Sequence, residues 1–304
     1  MPDDDLPGDG DGVARRMWQL FEPVHAVSYF APACAAAFEG AGLRGFWRGY
    51  FAGRSAPLGP VGAAPVVGCF FGFAPAMVAR ALPDIWTRIT PAEALTARLD
   101  GAREALVPLL AQTRPGELVE LAGVLRAAAE RAPVAGRVLA AANAALPWPQ
   151  DPIGVLWQAT TILREHRGDG HVAALVTAGL DGAETAVWRA SLGGVGSGGA
   201  GGVSREDLQR ARGWSDAAWV DAAGRLRARG WLDDTGRPTE ASRSALHAVE
   251  ETTDRAAASV WEPLGPDEIE RCVALLAPVA RRAAALLRWP NPIGVPDPRE
   301  SGSG

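Results

Sequence analysis

The densest chemistry in the chain lies in one short string, "REHRGDGH", Arg164 to His171. It packs Arg164, Glu165, His166, Arg167, Asp169 and His171 into eight residues. Gly168 and Gly170 between them predict a broken helix whose bent backbone turns side chains inward. A second string, "FEPVHAVSYFAP" from Phe21, carries Glu22, His25 and Tyr29 at helical spacing, so all three share one helix face. A carboxylate beside an imidazole raises its basicity and fixes its tautomer. That suits a general base, and His25, Glu22, His166 and His171 are the candidate catalytic residues. It also suits a ligand for a divalent metal or haem, with His25, His166 or His171 as donor; the spacing does not say whether a cofactor is held. Tyr29, Arg54, Arg164, Arg167 and Asp169 are the candidate ligand-binding residues, because guanidinium forks grip carboxylates and phosphates through paired hydrogen bonds.

A plainer reading competes with this one. Arg, Asp and His in a turn often serve as caps and internal salt bridges. HxxxxH across two glycines is not a metal spacing of the HExxH kind. His247 sits on a run that reads as exposed. No G-x-S-x-G, no P-loop and no G-x-G-x-x-G after a strand occurs, and "GGVGSGGAGG" from Gly193 reads as a linker. Cys34, Cys69 and Cys272 are odd in number and far apart, so they read as core thiols of a reducing, cytoplasmic protein.

Composition sets the wider frame. The chain has 304 residues, 48% of them hydrophobic, and a net charge of −5. All thirty basic residues are arginine. An acidic chain has no general pull toward nucleic acid, so DNA binding would need a local basic face. Residues 55–79 are uncharged and long enough to span a bilayer, but four prolines interrupt them, which argues for buried core. The acidic segment 1–16 and the closing segment 296–304 read as disordered tails.

The elements that must position these residues are written twice. "WPQDPIGV" from Trp148 and "WPNPIGV" from Trp289 place Pro152 and Pro292 140 residues apart. "AGLRG" at Ala41 faces "AGLDG" at Ala178, and "WR" at Trp47 faces "WR" at Trp188. The matches keep their order, so the expectation is a tandem repeat, residues 17–155 and 156–295, folded as a pseudo-two-fold pair with a pocket between the halves. Asp151 has no counterpart in the second string on this reading, and both strings are expected to end helices. In the second half, residues 204–240 read as helix, turn, helix and a small hairpin closed by Asp234-Thr235-Gly236. The expected fold is mainly α, a helical bundle plus winged helix-turn-helix in each repeat with small β wings.

That second half resembles the MarR-type winged-helix proteins. "HRGDGH", "FEPVHAVSYFAP", "GYFAGRSAPLGPV" and "ETTD" together resemble the SalK-like helix-turn-helix family of actinobacteria over nearly the whole chain. The first resemblance implies long helices forming a dimer interface; the second implies proximity to biosynthetic genes and no settled activity. The reading helix of the first half, within "GFAPAMVARALPDIW", offers only Arg80 to DNA, and that of the second carries Asp216 and Asp221 near its start. The expected function is therefore small-molecule binding on a scaffold that has lost DNA reading, in its sharper form as an enzyme of secondary metabolism. The competing reading is a ligand-responsive regulator, which requires a basic face at Arg205, Arg210, Arg212, Arg225 and Arg237. Its partners would be a small molecule, with DNA disfavoured and no membrane, and it would be a monomeric pseudo-dimer or a homodimer.

Overall fold

The computed structural model describes residues 10–193 and 203–300. Among them the chain forms fourteen α-helices and no β-sheet. The first ten are α1 (Gly10–Phe30), α2 (Pro32–Gly40), α3 (Phe46–Ser55), α4 (Ala63–Phe70), α5 (Pro75–Ala79), α6 (Pro91–Leu110), α7 (Pro115–Arg131), α8 (Val138–Ala144), α9 (Pro152–Thr177) and α10 (Gly182–Leu192). Then follow α11 (Arg205–Arg212), α12 (Asp216–Ala228), α13 (Glu240–Ala258) and α14 (Pro266–Ala284). The starts follow from local chemistry. Thr90 and Glu93 form a capping box on α6, Asp181 and Glu184 form one on α10, and Ser204, Ser215 and Thr239 cap α11, α12 and α13.

Helices α1 and α9 lie against each other at the centre. Helix α7 covers α9 and α14 covers α1, while α6 and α13 each touch both. Their apolar faces close one core around Met17, Phe21, Leu125, Trp157, Trp261 and Leu276. Two flanking units carry their own cores. The first, from α2 to α6, is built on Phe38, Phe51, Phe70, Phe73 and Ile85. The second, from α9 to α13, is built on Trp188, Leu208, Trp219 and Leu226.

Several expectations are corrected. The second-half hairpin is a single bridge, Leu232 with Pro238, where the Asp233 amide donates to the Arg237 carbonyl at 2.9 Å. In the first half, residues 87–94 hold no hairpin: a 3-10 turn (Asp84–Thr87) leads into α6. The glycines of "HRGDGH" do not break the chain, because α9 runs unbroken through them. Gly170 packs closely instead: a Cβ there would lie 3.3 Å from the Ala256 Cβ and 2.8 Å from the Arg137 guanidinium, whose flexible end would have to shift.

The string at Trp148 starts a helix and does not end one. Pro152 occupies the first turn of α9, where its missing amide costs nothing, and the Asp151 carboxylate accepts from the Gly154 amide at 2.8 Å. Asp151 does have a counterpart. Asn291 makes the matching bond to the Gly294 amide, also 2.8 Å, in a turn after α14. The tail readings also shrink. Residues 10–16 belong to α1, where Ala14 is buried and Arg15 pairs with Asp254 at 2.5 Å. At the other end Asp297 is buried and pairs with Arg299 at 2.5 Å. Residues 1–9, 194–202 and 301–304, with most of the expected linker, lie outside the described residues. Residues 55–79 fold into short helices that each bury one face, Val66 and Phe70 on α4 and Met77 and Val78 on α5, and no described helix is long and apolar enough to cross a membrane.

Candidate functional site

The two flanking units dock on each other. The Ala74 amide donates to the Arg212 carbonyl at 2.8 Å, and the Trp214 indole donates to the Gly72 carbonyl at 3.0 Å. Gly182 lies so close under the Phe71 carbonyl that any Cβ would collide with it. Beneath this joint, with α1 and α9 as floor, is a cavity of about 470 Å³ lined by Tyr29, Tyr50, Arg54, Phe73, Arg164, His171 and Arg189 among others. A second lobe of about 600 Å³ reaches Trp18, Glu22 and Arg167 and shares Arg164, His171 and Arg189 with the first. Volumes of this size suit a small organic ligand.

The floor is held by a buried carboxylate that the sequence reading left out of its site. Glu165 takes both forks of Arg54, at 3.0 and 3.1 Å, and one of Arg164 at 2.7 Å. Burial works to raise the Glu165 carboxyl, and the charges of Arg164 and Arg54 overcome it and leave it well below the usual carboxylate range. Arg164 also reaches Glu22 at 3.4 Å, and Glu22 accepts from the Trp18 indole at 3.0 Å. Arg54 and Arg164, expected to grip a ligand anion, thus already face a protein counter-ion.

Glu22 does not touch His25. The His25 ring instead lies in a directional chain. Thr161 Oγ1 donates to the Trp157 carbonyl at 2.8 Å, so it accepts from His25 Nδ1–H at 3.0 Å. The bare Nε2 then accepts from the Tyr29 hydroxyl at 2.7 Å. Burial, then the charge of Arg164, push the imidazole well below its ordinary value, so it is neutral, as the chain requires. Burial likewise raises the Tyr29 phenol, which keeps its proton. His25 is shielded, and it meets the cavity only through Tyr29, whose oxygen still has lone pairs to offer.

The histidines do not converge. His166 is buried away from the cavity; its Nε2 has no partner, its carbonyl accepts from Arg137, and burial lowers it to about 4. His171 lies between the two lobes. Thr253 Oγ1 donates to Val249 at 2.7 Å and so accepts from His171 Nδ1–H at 3.0 Å, which leaves Nε2 bare. Burial lowers this ring to about 4 as well. Arg167 pairs with Asp254 at 2.6 Å and lies over the Trp18 ring at 4.3 Å. Asp169 accepts from the Ala140 amide at 3.0 Å, tying α9 to the start of α8, and burial pushes it up to about 6. Both Arg167 and Asp169 thus fill the plainer role of internal pairing. Among the described residues no group of three His, Cys, Asp or Glu side chains converges to hold a metal ion, so His25, His166 and His171 form no shared site.

Two features of the cavity escaped the sequence reading. One is its aromatic wall, where Phe30, Phe46 and Tyr50 lie nearly parallel, at 26° and 22° between neighbours. Their spacing, Phe46 to Tyr50 at i, i+4, was the available signal. The other is a pair of arginines, Arg189 and Arg212, brought in by the flanks from positions remote from "HRGDGH".

Helices α11 and α12 meet at Gly213, whose φ of 77° makes the tight turn, and Trp219, Ala222 and Leu226 seat α12 on α10. This is helix-turn-helix geometry. A model of the "Helix-turn-helix family" matches residues 14–288. The chain belongs to that family. No curated protein and no solved structure matches it.

For a helix-turn-helix protein the outer face of α12 carries little to read bases with. Asp216, Ala217, Val220 and Asp221 occupy its exposed first turns. Arg225 is spent on Glu184 and Asp181 at 3.0 and 2.7 Å, and Arg205 on Asp216 at 2.8 Å. Arg212 faces the cavity, and Arg210 approaches Asp207 at 3.5 Å. Of the five arginines a basic face requires, only Arg237 is exposed with no side-chain partner among the described residues. In the first flank α5 is five residues long, Met77 and Val78 are buried, and Arg80 at its end is the one charged side chain exposed there.

Proposed function

We propose that this helix-turn-helix protein binds a small molecule in the cleft between its flanking units and does not read DNA sequence through α12. The observation that carries the reading is where the arginines go. Six of them line the cleft, while the face of α12 that would meet base edges begins with Asp216 and Asp221. A phosphate backbone is repelled there.

In its sharper form the protein is an enzyme of secondary metabolism, related to the SalK-like group and, through residues 204–240, to MarR-type winged helices. Support for chemistry comes from two groups at the cavity: the bare Nε2 of His171 as proton acceptor, and the Tyr29 hydroxyl backed by neutral His25. Support for a duplicated chain, residues 17–155 and 156–295, comes from reciprocal packing, α7 on α9 and α14 on α1, and from the matched bonds of Asp151 and Asn291. In that arrangement the protein is a pseudo-dimer within one cytoplasmic chain.

A ligand-responsive regulator is the second reading, favoured by Arg227, Arg229 and Arg237. These are exposed and form no ion pair among the described residues. Selection from a random-sequence duplex pool separates the two. The first reading expects no enriched sequence; enrichment of a discrete, salt-sensitive site would establish the regulator.

A further inference from the structure

The cavity is charged out of proportion to the chain. Six arginines line its first lobe, Arg54, Arg164, Arg189, Arg210, Arg212 and Arg288, against the single carboxylate of Asp207, in a protein of net charge −5; the carboxylates of Glu22, Glu250, Asp297 and Glu300 line the second lobe. Like charges that converge where water is scarce repel strongly unless a counter-ion is present. Arg54 and Arg164 share Glu165 behind the wall. Arg210 and Arg288 share Asp207 at the rim, at 3.5 and 3.6 Å.

Arg189 and Arg212 form no ion pair among the described residues. Arg212 donates one hydrogen bond, to the Pro292 carbonyl at 2.7 Å, and Arg189 a long one of 3.4 Å to the Ile293 carbonyl. Each guanidinium has further N–H groups without a protein acceptor. Burial is the main influence on Arg212 and lowers it to about 10; Tyr50 opposes this, and Arg189, Arg54 and Arg164 add to it. Burial lowers Arg189 too, opposed by the charge of Glu250, which forms no ion pair with it, so both guanidinium groups can still take an anion.

The wall defines the rest of the ligand. Arg212 stacks on Phe73 at 4.6 Å, which occupies the flat face of the guanidinium and leaves its edge for hydrogen bonding. Beside it Phe46 stacks on Tyr50 with centroids 6.1 Å apart, and Phe46 is 46% exposed, an unusual fraction for a large apolar ring.

We infer that Arg189 and Arg212 hold the oxyanion of a planar aromatic ligand whose rings lie against Phe46 and Tyr50. The inference rests on the small-molecule reading and narrows it to aromatic carboxylates or aryl phosphates. The neighbouring Tyr29 hydroxyl accepts a hydrogen bond from a substituent on the same ring system.

A matched pair of fluorescent probes tests it. Anilinonaphthalenesulfonate is an aromatic oxyanion; phenylnaphthylamine is the same ring system without the sulfonate. The full chain binds the sulfonate roughly tenfold or more tightly than the neutral probe. Naphthoate and naphthyl phosphate compete with it, the stronger competitor naming the oxyanion, and naphthalene competes poorly. Arg189→Gln and Arg212→Gln, with helical circular dichroism unchanged, each weaken the sulfonate by about tenfold and leave phenylnaphthylamine as it was. Equal affinity for the two probes in the unaltered protein overturns the inference while leaving a ligand cleft in place. So does unchanged sulfonate binding by both folded variants. Absence of saturable binding by either probe overturns the small-molecule reading itself.

Discussion

Glu165 shows what a single carboxylate does in this fold. It is 1% exposed and neutralises two guanidinium groups that would otherwise face each other across α3 and α9. Glu165→Gln keeps the shape and removes the charge, leaving Arg54 and Arg164 uncompensated. A loss of about 3–5 kcal/mol is expected, read as a shift of the urea midpoint. Tyr29→Phe is milder. It strips the His25 Nε2 of its only donor, costs about 1–2 kcal/mol, and weakens any ligand that donates to the Tyr29 oxygen. At this scale the sequence was half legible. Residue types and helix-face spacing pointed to Tyr29, Arg54, Arg164 and His171, which all line the cavity. The same logic brought in His166 and Asp169, because composition alone does not say which side of α9 a residue faces. It left out Glu165, whose role is set by Arg54 from 111 residues away.

At the scale of elements, the joint between the flanks depends on glycine. Gly182 opens α10 under the Phe71 carbonyl, with no room for a methyl group. Gly182→Ala is expected to part the two units. Its signature is a change in the fluorescence of Trp214, whose indole bonds across the joint, together with loss of probe binding, while the helical circular dichroism signal persists. Gly168→Ala is the contrast: its Cβ would sit at ordinary contact distance, 3.5 Å from Arg164, and leaves the joint intact. Helix starts were readable, since Ser204, Ser215 and Pro266 mark them in the sequence as in the structure. Helix ends were harder. The strings at Trp148 and Trp289 look alike, yet one opens α9 and the other follows α14 as a turn, because an Asx residue before a proline caps a helix only if helix-forming residues follow.

For the molecule as a whole, three buried neutral histidines make it sensitive to acid. An unfolded histidine takes a proton near pH 6.5. In the folded chain His166 and His171 wait until about 4, and His25 is also held well below its ordinary value. As the pH falls from about 6.5 toward 4 the unfolded state therefore binds more protons, and stability drops. Asp169 acts in the opposite direction, because at about 6 it takes up its proton earlier in the folded state than in the unfolded one. Three groups against one leave a net loss of about 2–3 kcal/mol per pH unit near pH 5, measurable as urea midpoints at successive pH values. The mainly helical fold was legible from periodicity. The cleft was not, because its walls come from α3, α9, α10 and α11, which only tertiary docking assembles.

The hydrogen bond from Ala74 to Arg212 has a geometric corollary. Paired helix-turn-helix readers straddle a duplex with their reading helices roughly 34–36 Å apart, one turn of the double helix. On the proposed duplication α5 is the first half's reader, and it begins one hydrogen bond away from the turn that leads into α12. With the joint closed the chain offers a duplex one helix and never two, so any grip on DNA by a single chain would be monovalent. A second grip would have to come from a second molecule or from an opened joint.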